Sequence, residues 1–342
     1  MLFFIHLEQI ISSRVQRLKS QKASKHKGKR KRREKNMDTR KRKEYAQTMN
    51  INGIHTLSLY TSGDKDITTS PTTQKAIKTI SKNKHKEGYR YFIQLNPNKL
   101  SGAGIIPTFS QFQDTLLLIL NSMGLALEDT QLARLDFCYN STEYNSFNDY
   151  QKLHRLLLCC MAQAERFTNC YKVKDLWTDA DLSISIRKKN AQAENYDKEK
   201  ESKGKDISKN RLEIRSMAIQ SGSSIKHELL DVWRGRVENI PYYFEEVQER
   251  YNDNLYDIYM QDTKKHKKDR RFNSVNDFTR QYRDCIFSRS QMADLFRMIG
   301  CDNAIVKANN FKRYYHIEYF SQTDLEVVTK DLVNKLEWYM NN

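Results

Sequence analysis

Three features of the sequence predict an α+β fold: short segments that alternate apolar and polar residues, two helical stripes set between them, and a wholly helical pattern after about residue 220. His55–Thr61 (HTLSLYT) alternates as a strand does. So does Tyr89–Leu95 (YRYFIQL), which stops at the turn Asn96-Pro97-Asn98. The polar stretch from Thr61 to Glu87 holds at most one short helix. Thr108–Met123 reads as a helix with Phe109, Phe112, Leu116, Ile119 and Leu120 on one stripe. Leu132–Tyr139 alternates again, and Phe147–Thr168 is helical. Leu182–Arg187 (LSISIR) and Arg211–Met217 (RLEIRSM) are two more strands, joined by a polar link. This order predicts an antiparallel or mixed sheet with helices on one side. Beyond it, Lys226–Arg236, Tyr242–Met260, Val275–Ile286, two short helices in Ser290–Tyr315, and Asp324–Met340 complete a helical C-terminal region.

The chain of 342 residues carries 59 Lys and Arg against 42 Asp and Glu, a formal net charge of +17, which points to a polyanionic partner. Residues 1–50 hold 16 of those cations against four acids, so the body is only mildly basic. The run from Ser20 to Lys43 lacks apolar periodicity and is expected to be a disordered, phosphate-tracking arm. The competing reading makes it a non-native extension, with Met37 or Met49 as the start. Only 11 Gly and 4 Pro exclude collagen-like and Pro-rich classes. No run reaches the roughly 18–20 apolar residues of a membrane span, and no signal peptide is expected. Six cysteines without zinc spacing suggest reduced thiols in a cytoplasm.

Two strands carry the candidate chemistry. Period-2 geometry puts Leu135, Phe137 and Tyr139 on one face, and Arg134, Asp136 and Cys138 on the other. The strand Arg211–Arg215 repeats this, with Leu212 and Ile214 inward and Arg211, Glu213 and Arg215 outward. If the strands are neighbours, Asp136 and Glu213 converge on a hard cation such as Mg²⁺ or Mn²⁺. The bland alternative is a solvated face laced with ion pairs. Tyr196-Asp197-Lys198-Glu199-Lys200-Glu201, just before the Glu213 strand, offers a tyrosine able to attack a phosphodiester and a lysine to stabilise charge. A surface tyrosine is the plainer reading of the same residue.

The set RLDFCYN, NYDKEKES and NRLEIRS resembles the replication initiation factor family of Gram-positive plasmids, phages and integrative elements, which includes rolling-circle initiators and related relaxases. The matching positions are Arg134 and Asp136, then Tyr196, Lys198 and Glu201, then Arg211, Glu213 and Arg215. The resemblance implies an antiparallel nickase-type sheet and a metal-dependent endonuclease that nicks one strand at an origin hairpin. It assigns catalysis to Tyr196, Lys198, Arg211 and Arg134, with Mg²⁺ or Mn²⁺ held by Asp136, Glu213 and Glu201. The tyrosine becomes linked to the 5′-phosphate, and the free 3′-OH primes DNA replication. One departure stands out: Lys188–Asn195 is polar where the family keeps an apolar strand. The eight scattered histidines contain no His-hydrophobic-His pair, which agrees with a carboxylate-ligated metal.

The expected organisation is therefore a basic arm (1–50), an α+β catalytic domain (51–220) and a helical DNA-binding domain (221–342). In the last, Gln291–Ile299 and Ala304–Tyr315 have helix-turn-helix proportions. Lys307, Asn309, Asn310, Lys312 and Arg313, together with Arg215, are the candidate DNA contacts. An ordinary helical hairpin explains the spacing equally well. The expected partners are single- and double-stranded DNA, a host helicase and a second copy of the chain, in a bacterial cytoplasm and without a membrane. The alternative function is a non-catalytic, sequence-specific DNA-binding protein. A tyrosine recombinase is disfavoured, because His227 is followed three residues on by Leu230 where an arginine is needed.

Overall fold

A computed structural model describes residues 52–63, 67–85, 88–101, 104–141, 148–164, 183–187, 191–203, 210–315 and 317–342. The basic arm, Met37, Met49 and Cys170 lie outside the described residues. Seven strands form one sheet: β1 (Gly53–Gly63), β2 (Ile77–His85), β3 (Gly88–Leu95), β4 (Thr130–Ser141), β5 (Ser183–Arg187), β6 (Ala191–Tyr196) and β7 (Asn210–Met217). Their order is β2-β3-β1-β4-β7-β6-β5, and every pairing is antiparallel. The fold is α+β, as the alternation of apolar residues predicts.

Two strands were not expected. β2 (IKTISKNKH) reads as a polar loop because it is an edge strand, where lysines keep the open hydrogen-bonding edge from pairing with other chains. β6 occupies the supposed polar link. Its inward residues are Ala191 and Ala193, too small to register as an apolar stripe, yet both are fully buried.

The apolar face of the sheet, with Leu57, Leu59, Ile93, Leu135, Phe137, Leu212 and Ile214, packs against helices. Helix α1 (Phe109–Ser122) buries Phe109, Phe112, Leu116, Ile119 and Leu120, the stripe read from the sequence, and is capped by the Thr108 hydroxyl accepting from the Gln111 N–H. Helix α2 (Asn148–Ala164) buries every residue from Leu156 to Ala162, as a helix enclosed on all sides must. The short α3 (Lys198–Glu201) follows β6.

After β7 the chain is helical: a π-wound turn at Glu228–Trp233, then α4 (Phe244–Thr263), α5 (Arg289–Met298), α6 (Ala304–Tyr315) and α7 (Gln322–Asn341). This region shares the core of the sheet. Tyr339 of α7 meets Phe137 of β4 edge-on at 5.3 Å and Phe109 of α1 at 6.2 Å. The boundary near residue 220 is thus a change of element type within one compact unit, not a division between two cores. No helix among the described residues is long and apolar enough to cross a membrane.

β1 carries a bulge that matters below. Its register against β4 runs Ile54↔Phe137 and then Thr56↔Asp136, leaving His55 as the extra residue. The side chain of buried Asn98 donates to the carbonyls of both Ile54 (2.9 Å) and His55 (3.2 Å), while its own oxygen accepts from the Ile106 N–H at 2.7 Å. Just ahead, Gly53 packs so closely that an added Cβ would lie 2.8 Å from Ile105, 2.9 Å from the Ile106 carbonyl and 2.9 Å from the Tyr339 ring.

Candidate functional site

The other face of the sheet gathers charge. β4 and β7 are adjacent, with Cys138 opposite Glu213 and Asp136 opposite Arg215, so Asp136 and Glu213 are diagonal neighbours on one face. β6 adds Glu194 opposite Glu213 and Tyr196 opposite Arg211. Asp136 and Glu213 are 1% and 2% exposed, a burial that demands partners for both carboxylates.

Those partners are mostly arginines. Arg134 grips Asp136 through two hydrogen bonds, Nε–Oδ1 at 2.7 Å and a terminal nitrogen to Oδ2 at 2.6 Å. The Arg215 Nε lies 3.0 Å from Glu213 Oε1 and 3.8 Å from Asp136 Oδ2, and its NH2 reaches Glu194 at 2.9 Å. Arg211 is buried and donates from Nε to Asn140 Oδ1 at 2.6 Å. Tyr196, 8% exposed, donates its hydroxyl to Glu213 Oε2 at 3.0 Å. The polar approach to Tyr196 therefore does not carry it away from the carboxylates.

Two residues join that the sequence did not single out. The bulge brings His55 to this face, with Nδ1 3.2 Å from the Thr56 hydroxyl and 3.7 Å from Glu213 Oε1. Lys78 donates to the Thr56 hydroxyl at 2.9 Å. His55 escapes a parity argument because HTLSLYT places it in phase with Leu57 and Leu59, and only the extra residue breaks that phase. Cys138 was on the correct face but had no assigned role. One oxygen of Glu213, one nitrogen of His55 and the Cys138 sulfur lie within 4.8 Å of one another, a set of atoms able to hold a metal ion.

Several expected roles change with the geometry. Arg134 and Arg215 are counter-ions of buried carboxylates, so Arg215 meets a DNA phosphate only by releasing one of them. Glu201 is exposed and pairs with Lys198 on α3, so it is already held by a cation of its own. Lys198 remains close, with its ammonium 5.7 Å from the centre of the Tyr196 ring.

The electrostatics follow from burial and pairing. Burial depresses His55, partly opposed by its hydrogen bond to Glu213 and by the Glu213 charge. Burial raises the Tyr196 hydroxyl and the Cys138 thiol well above their ordinary values. It also raises Asp136, against the pull of Arg134. For Glu213, burial acts upward, but hydrogen bonds and positive charge overcome it and hold the carboxyl far below its ordinary 4.5. His55 comes first among these partners and Arg215 second. A depressed folded-state value means that the unfolded chain binds the proton more readily, so this stabilisation is complete above 4.5 and is lost as pH falls below it. Urea midpoints recorded during acidification should fall below that point, and Glu213→Gln should flatten the fall. An unchanged acid limb in the variant would assign it to other carboxylates.

A second surface lies on the helical side. On α6, Ala304, Ala308 and Phe311 are buried against the neighbouring helices, while Lys307, Asn309, Asn310, Lys312 and Arg313 are all exposed. The turn before it uses Gly300 (φ 74°) and Asn303 (φ 53°), which supply the left-handed backbone of a tight helical hairpin. No family model, curated protein or solved structure matches this chain.

Proposed function

We propose that this chain is a DNA-nicking enzyme of the rolling-circle initiator type, with Tyr196 as its nucleophile. The observation that carries the reading is the Tyr196–Glu213 hydrogen bond, set in a sheet face rich in arginine. Tyr196 attacks the scissile phosphorus, forming a tyrosyl–phosphate bond as the bond to the 3′ oxygen breaks. Glu213 takes the tyrosine proton, and the departing 3′ oxygen takes one from water. The entering phosphate draws hydrogen bonds from Arg215, which relieves Glu213 of its counter-ion and raises its basicity toward the task. Lys198 sits beside the developing charge.

Two further observations support a nucleic-acid substrate. On the same face, Tyr60 and Phe92 pair at 5.3 Å, and the Arg90 guanidinium lies 4.2 Å over the Tyr60 ring. Both rings are only partly buried, an arrangement suited to stacking unpaired bases. The exposed face of α6 presents amide and cationic side chains of the kind that read base edges. Asn309→Ala and Arg313→Ala should each relax sequence preference by about 1–3 kcal/mol, measured by competition between specific and random duplexes. Uniform weakening on both would make these residues phosphate contacts only.

Incubating the chain with single-stranded and supercoiled DNA in the presence of divalent cations tests the proposal. A covalent protein–DNA adduct on a denaturing gel, together with nicked circles, is the expected result. The competing reading is a non-catalytic DNA-binding protein. It is favoured by the burial of Tyr196 and by the firm ionisation of Glu213 in the resting site. Specific binding with no adduct under any cation would establish it.

A further inference from the structure

The carboxylate set implied by the family resemblance does not fit a hard cation in this chain. Asp136 gives both oxygens to Arg134, Arg215 stands between Asp136 and Glu213, and Glu201 is exposed and paired with Lys198. A different donor set converges at the same place. We propose that His55, Cys138 and Glu213 form a binding site for a divalent transition metal of the zinc class, and not for Mg²⁺.

The donor atoms decide the class. Mg²⁺ takes oxygen ligands in a near-octahedral shell, whereas imidazole and thiolate suit zinc and its neighbours. Zinc binds Cys sulfur at about 2.3 Å and His nitrogen or carboxylate oxygen at about 2.0–2.2 Å, which puts tetrahedral ligand atoms roughly 3.3–3.8 Å apart. The three donors already lie within 4.8 Å, so the set closes by about 1 Å at its widest separation.

The surroundings also favour this assignment. His55 reaches the site only through the bulge that Asn98 pins. Cys138 is fully buried directly across the ladder from Glu213, where a thiol gains little from a charged face. On binding, its proton leaves to solvent, so the ion adds one net positive charge beside Arg211 and Arg215 instead of two. Tyr196 on Oε2 and Arg215 on Oε1 fix the orientation of the Glu213 carboxylate, as outer partners of a ligand do. Three protein donors leave a fourth position open, the pattern of catalytic rather than structural zinc.

The assignment concerns donor atoms alone and does not require the nicking reaction. The full chain, stripped with a chelator and titrated with Co²⁺, should develop a thiolate-to-cobalt charge-transfer band with tetrahedral visible bands at one ion per chain. Zn²⁺ should remove them, and Mg²⁺ in large excess should not. Cys138→Ser should abolish the charge-transfer band and weaken Zn²⁺ binding by more than about 100-fold. His55→Gln, at a partly exposed bulge, should weaken it comparably while keeping the band; it carries the test if the serine variant does not fold. No band in the wild type, a band persisting in Cys138→Ser, unchanged affinity in His55→Gln, or displacement by Mg²⁺ would each overturn the site. A chain that binds cobalt as described yet forms no DNA adduct refutes the nicking reaction and leaves the metal site standing.

Discussion

Tyr196→Phe should abolish the covalent adduct, lowering its rate of formation by about 10⁴-fold or more, while DNA affinity stays within a few-fold. The substitution removes only the attacking oxygen and one hydrogen bond to Glu213. Loss of that bond costs about 1.5–3 kcal/mol of stability, since its acceptor is charged, so the variant should still fold. The measurement is a time course of adduct on denaturing gels, alongside a binding isotherm for the same oligonucleotide. An adduct of undiminished yield would mean that another tyrosine attacks. Tyr139 is a poor substitute, because its ring is buried on the opposite, apolar face, 5.0 Å from Phe137. Tyr171 lies outside the described residues.

The largest effect on stability is expected from Arg134→Ala. It strips the bidentate partner from a carboxylate that is 1% exposed and leaves Asp136 with Arg215, at 3.8 Å, and the charge of Lys78. Breaking such a pair from one side costs about 3–5 kcal/mol when both groups are buried. The side chain of Arg134 is 28% exposed, so solvent screening lowers the expectation to roughly 2–4 kcal/mol. Replacing both partners, as Arg134→Met with Asp136→Leu, should recover most of the loss, because no buried charge is then left alone. Urea denaturation of the three variants measures this directly. A single-variant cost below about 0.5 kcal/mol would mean that water already reaches Asp136 and that the clamp is not structural.

The sheet and the site differed in how far they could be read from the sequence, for reasons that lie in particular residues. Alternation found β1, β3, β4 and β7 because each has bulky apolar side chains on its core face, and the pattern LSISIR found β5. It missed β6, whose core face is two alanines and the buried Asn195, and β2, whose lysines guard an edge. That Asp136 and Glu213 point to one face followed from parity once their strands proved to be neighbours, and the exposed cations of α6 followed from helical spacing. Parity could not reveal that arginines would claim the same carboxylates, since an ion pair and a metal ligand look alike along one strand. Nor could it find His55.

The bulge at His55 has a consequence for how this stretch tolerates change. A regular pleat remembers only whether a position is odd or even, and the extra residue resets that memory between Ile54 and Thr56. Side chains on the core face there can be exchanged for others of similar volume, because the arrangement depends on spacing. Deleting Ile54 alone would restore regular pairing and rotate the imidazole off the charged face while every polar side chain of the segment is kept. Gly53 apart, the segment is thus lenient toward spelling and strict about length.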